Sequence, residues 1–86
     1  MPWRVVRVEA LADLRLHVTF LDGMTGIVDL SRLIHSRDAG VFAALADPAH
    51  FAQVHLEHGA VTWPGGVDLA PDAMHQALQQ NPIWTL

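Results

Sequence analysis

Apolar and polar side chains alternate without a break over residues 14–20: Leu14, Leu16, Val18 and Phe20 fall on one side, and Arg15, His17 and Thr19 on the other. A period of two belongs to a strand with one buried face, so this stretch predicts a half-buried β-strand. Residues 3–9 alternate as well, with Val6 and Val8 on one side and Val5, Arg7 and Glu9 on the other. That pattern predicts a strand with some burial on both faces. Leu21, Asp22 and Gly23 supply turn chemistry, and residues 25–30 then return antiparallel to the second strand. A three-stranded meander is expected.

The period changes after Leu30. Asp29 and Ser31 precede Arg32-Leu33-Ile34, and either can cap a short helical turn. Val41, Phe42, Ala44 and Leu45 have helical spacing, and Asp47-Pro48 stops that helix. Residues 51–57 predict a fourth strand, His58-Gly59 a tight turn, and residues 60–63 a fifth strand ended by Pro64. Gly65-Gly66 admits backbone angles that a Cβ resists. Pro71 and Asp72 then suit the first turn of a helix over residues 71–80, whose apolar stripe is Met74, Ala77 and Leu78. Asn81-Pro82 ends it. The apolar tail of Ile83, Trp84 and Leu86 either packs back over the sheet edge or the helix, or presents Trp84 to a second subunit or partner. These elements predict one α+β domain over residues 1–86: a small, mostly antiparallel sheet of about five strands with two helices packed on it.

Several function classes are narrowed by composition. A chain of 86 residues forms one core and buries only roughly 60% of its unfolded surface, so self-association or a protein partner is an expected source of further stability. Hydrophobic residues make up 51%, which argues for a folded chain rather than a disordered one. With no cysteine, disulfides, thiolate chemistry and cysteine metal sites are excluded. The net charge is −4, and the five basic residues, Arg4, Arg7, Arg15, Arg32 and Arg37, are scattered. Direct nucleic-acid binding, which normally shows a basic patch, is therefore disfavoured. No apolar run approaches the roughly 20 residues of a membrane span, and no signal segment is recognisable. The expected location is the cytoplasm.

The stretch Val61-Thr62-Trp63-Pro64-Gly65-Gly66-Val67-Asp68-Leu69-Ala70-Pro71-Asp72 carries the densest punctuation. It follows, in order, Leu16-x-Val18-x-Phe20-x-Asp22-Gly23, Gly26-x-Val28-Asp29-Leu30, Phe42-x-x-Leu45-x-Asp47-Pro48 and Phe51-x-x-Val54. This ordered set resembles a bacterial family known as domain of unknown function 2442, over nearly the whole chain. The resemblance implies an α+β fold without an established reaction. Some relatives carry an added helix-turn-helix domain. Others are similar to short proteins encoded beside another small protein, as toxins and antitoxins are. Because this chain ends at Leu86, it is expected to lack the DNA-binding module of the longer form.

Candidate chemistry is sparse. Six histidines invite a metal site, but His55 and His58 straddle a strand end and a turn, and His17 meets His55 or Glu57 only if their strands adjoin. No metal or cofactor is expected. Asp22, Asp29, Asp68 and Asp72 each have a structural role in a turn, cap or helix start. Ser31 and Ser36 lack a nucleophile motif, and Gly65-Gly66 lacks the spacing of a phosphate loop. No catalytic residue is assigned. The residues expected to contact a partner are Trp63, Asp68 and Asp72 around the Gly-Gly loop, and Trp84 in the tail. The sequence therefore points to a non-enzymatic protein-interaction module, in antitoxin-like partnership with a neighbouring small protein. The alternative is a small enzyme or ligand-binding protein that uses His and Asp residues at a cleft or subunit boundary.

Overall fold

The computed structural model describes residues Met1–Leu86. Strand β1 (Val5–Leu11), β2 (Arg15–Phe20) and β3 (Thr25–Asp29) form the expected antiparallel meander. Its cross-strand rows separate two environments. Val8 lies opposite Val18, and Ala10, Leu16 and Val28 share a row on the core side. Glu9, His17 and Ile27 form a row on the outer side, as do Leu11, Arg15 and Asp29.

Beyond β3 come a single helical turn α1 (Ser31–Ile34), a 3₁₀ segment (Gly40–Ala46) and a second short helix α2 (Pro48–Phe51). Asp29 Oδ1 accepts from both the N–H and the hydroxyl of Ser31, at 3.0 and 2.7 Å, and so braces the entry to α1. Asp47 ends the 3₁₀ segment and caps α2, accepting from the Ala49 N–H at 3.0 Å. Proline at the first helical position is already preset for this start. Phe51 is therefore helical, and strand β4 is only His55–Glu57, shorter than the expected 51–57.

Seven strands form two sheets, which corrects the expectation of one sheet of about five. The second sheet has the order β4-β5-β6, with β5 at Ala60–Trp63 and β6 at Val67–Asp68. Residues 64–66 reverse the chain between β5 and β6, with φ of +98° at Gly65 and +84° at Gly66, the left-handed region where a Cβ is strained. Helix α3 (Pro71–Gln80) spans the predicted residues. Strand β7 (Ile83–Thr85) then joins the first sheet, giving the order β1-β2-β3-β7, and runs parallel to β3. The tail thus packs back on its own sheet edge. Trp84 lies opposite Val28 on the core side, and Ile83 extends the outer row of Ile27. A parallel pair is possible because the connection from β3 to β7 is long, passing through the short helices, the second sheet and finally α3.

The core gathers Val5, Leu16, Val18, Phe20 and Val28 from the first sheet, Leu30 just after β3, Val61, Trp63 and Val67 from the second sheet, and Met74 and Leu78 from α3. Helix α3 settles where β3 has no side chain. A Cβ built on Gly26 would meet Leu78 Cδ2 at 2.6 Å and Cγ at 3.0 Å.

Candidate functional site

Trp63 is a core residue, 1% exposed. Its indole N–H donates to the Phe51 carbonyl at 3.0 Å, and its ring lies 5.8 Å from that of Phe51. The outcome differs from a surface cluster around the Gly-Gly loop, because the strand alternation that presents Val61 to the core also leaves Trp63 enclosed by α2. Asp68 stands exposed on β6 opposite Thr62. Asp72 is exposed in the first turn of α3, where Oδ1 accepts from the Ala73 N–H at 2.9 Å. His50 Nε2 donates to the Pro64 carbonyl at 3.1 Å, which holds the loop against α2. Trp84 is half-buried at the sheet edge and packs against the core.

One pairing was not read from the sequence. His75 on the inner arc of α3, 7% exposed, donates from Nε2 to Asp22 Oδ2 at 2.8 Å. The Phe20 ring meets the imidazole edge-on, with centroids 4.8 Å apart. Asp22 Oδ1 also accepts from the Met24 N–H at 3.0 Å inside the β2–β3 turn. That backbone bond, followed by the His75 bond, holds the Asp22 carboxyl below its ordinary value. Only one sequence signal existed: His75 falls between Met74 and Leu78 on the buried stripe. Its partner is distant in the chain and carried no mark beyond turn chemistry.

Asp29 is held below its ordinary value as well, first by the Ser31 hydroxyl, against a desolvation penalty, then by the Ser31 N–H and by Arg15. Arg15 Nε donates to Asp29 Oδ2 at 3.3 Å across β2 and β3. Arg7 pairs with Glu9 on β1. His17 lies opposite Glu9 and Ile27, and its strand does not pair with β4, where His55 Nε2 and Glu57 Oε1 are 3.9 Å apart. No group of three or more His, Asp or Glu side chains gathers in a metal-binding arrangement. No helix is long and apolar enough to cross a membrane.

The fold is thus that of a small α+β domain with two sheets, in which the carboxylates that form hydrogen bonds serve turns, caps and cross-strand ties. Its sequence matches, over residues 5–78, the family described as protein of unknown function DUF2442, and the chain belongs to that family. The crystal structure of a candidate DNA-binding protein from Nitrosomonas europaea is similar, with 34% identity and a TM-score of 0.60. The likeness covers 72% of this chain and 40% of that one, so the chain corresponds to less than half of that protein's length. Among curated proteins, none matches significantly.

Proposed function

We propose that the chain is a non-enzymatic protein-interaction module, with the antitoxin-like partnership suggested by its family resemblance as the specific form. The observation that supports this reading is the outer face of the four-stranded sheet. Its central row runs Glu9, His17, Ile27, Ile83, and Leu11 adjoins it on β1. Leu11 is 38% and Ile83 45% exposed. Leu11 at one edge of the sheet and Ile27 with Ile83 toward the other stand among the paired charges of Arg7–Glu9 and Arg15–Asp29, a mixture of apolar and charged groups that suits a protein contact. Asp68, Asp72 and the exposed part of Trp84 are further proposed contacts, while Trp63 acts from the core by fixing the loop. Co-purification of the chain expressed at its native level tests the reading: a protein partner in fixed proportion, lost in Ile83→Glu, is expected. Recovery of the chain alone, with no growth effect on its deletion, would leave the proposal without support.

The name of the Nitrosomonas europaea protein favours a second reading, contact with DNA. The charge of this chain opposes it, because the net is −4 and two of the five arginines, Arg7 and Arg15, are held by carboxylates. The bond between buried His75 and exposed Asp22 is the one observation on the side of the ligand-binding alternative. The imidazole is enclosed by the core, so the pair is better suited to joining α3 to the β2–β3 turn than to meeting a substrate.

A further inference from the structure

The two sheets meet where the Val5 N–H donates to the Gly59 carbonyl at 3.0 Å. Farther along β1 a groove of ≈ 580 Å³ opens between the end of that strand and α2. Its walls include Ala10, Leu11 and Leu14 on one side and Pro48, Phe51 and Ala52 on the other, with Asp13 among the polar lining. One wall is an unused sheet edge. The Phe20 N–H donates to Met24, toward β3, and the Leu21 N–H donates to Arg4, toward β1. Alternate residues of β2 therefore face β1, namely Thr19, His17 and Arg15, opposite Arg7, Glu9 and Leu11. By the same alternation Ala10 turns its N–H and C=O away from the sheet.

The loop beside this edge is held in a costly conformation. Asp13 and Leu14 have φ of 62° and 58°, and a left-handed backbone is unusual for leucine. It is maintained because the Leu14 carbonyl accepts from the Leu30 N–H at 3.0 Å while its side chain packs on the core. Asp13 is exposed and forms no ion pair. A free strand edge supplies main-chain bonds, an adjoining apolar groove takes alternate side chains, and a lone carboxylate on a chain of net charge −4 favours a cation.

We propose that this groove binds an extended segment of a partner protein, which adds a strand beside Ala10, seats alternate apolar side chains against Phe51 and Ala52, and places a lysine or arginine near Asp13. The inference rests on the interaction-module reading and specifies the partner's chemistry. The test pans a displayed library of random linear dodecapeptides on the intact chain and measures the selected peptides against two variants. Ala10→Pro removes the outward N–H and fixes φ, at an edge-strand position where proline is tolerated. Ala52→Arg places a charge on the exposed end of α2, with circular dichroism confirming the fold of both.

Selected peptides are expected to alternate apolar residues and to carry a basic one. They should bind each variant at least about tenfold more weakly than wild type, as loss of one well-made main-chain bond allows. Peptides without this pattern, failure to select any, or binding to both variants as tight as to wild type would overturn the proposal. A wild-type dimer dissociated by Ala10→Pro would also overturn it, by giving the edge to a second copy. A native partner retained equally by wild type and both variants would sink the groove while leaving the interaction module standing.

Discussion

His75 on α3 donates a 2.8 Å hydrogen bond to Asp22, 53 residues earlier, in the turn between β2 and β3. This bond closes the C-terminal helix onto the hairpin that starts the core, so it couples the two ends of the fold. His75→Ala removes both the bond and a buried ring and is expected to destabilise the chain by about 1–3 kcal/mol. Urea denaturation measures this, and an unchanged midpoint would show that the pair is incidental.

Acid should weaken the fold through two named carboxylates. Asp22 and Asp29 both ionise more readily in the folded chain than at the ordinary value of 3.8. A depressed folded pKa adds stability that is present above the unfolded pKa and is lost as pH falls through the folded one, so the loss begins near pH 4 and continues below it. Asp22→Asn and Asp29→Asn should each flatten the dependence of the unfolding midpoint on pH between about 5 and 2. Parallel pH profiles for wild type and both variants would contradict the assignment.

Gly26 is required for its missing side chain. Leu78 is 5% exposed, and its Cγ as well as its methyl groups crowd the site, so rotation of the leucine tip does not clear a new Cβ. Gly26→Ala should cost about 1–3 kcal/mol by overpacking. Gly26→Ala combined with Leu78→Ala should recover part of that loss, and a double variant no better than the sum of the two singles would argue against direct contact.

Trp63→Phe tests the indole bond apart from ring burial. The Phe51 carbonyl would keep only its longer bond from the Val54 N–H, at 3.3 Å, for an expected loss of about 0.5–1.5 kcal/mol. Thermal unfolding within a degree of wild type would show that the Val54 N–H satisfies the carbonyl by itself.

Local chemistry made much of the architecture legible. The alternation of β2, the Asp22-Gly23 turn, and the Pro71-to-Gln80 helix all appear where side-chain period and proline placement put them. What could not be read was long-range pairing. Nothing in Ile83-Trp84-Thr85 specifies a parallel partner, since that choice depends on where α3 delivers the chain. Asp47-Pro48 was legible as a helix stop, yet the same pair starts the next helix and so shortens the fourth strand. Trp63 had the profile of a surface aromatic beside a flexible loop; the core that encloses it includes Phe51 from α2, which lies outside that stretch. The His75–Asp22 bond was hidden for the same reason, as neither residue carries a local sign of the other.

The most direct test of the central claim is the mass of the native assembly, measured by native mass spectrometry on the chain purified gently at its endogenous level. A complex heavier than the 9.4 kDa chain, containing a second protein in fixed ratio and shifted to free chain by Ile83→Glu, is the predicted result. A free chain in wild type, or an assembly that survives Ile83→Glu unchanged, would contradict the account.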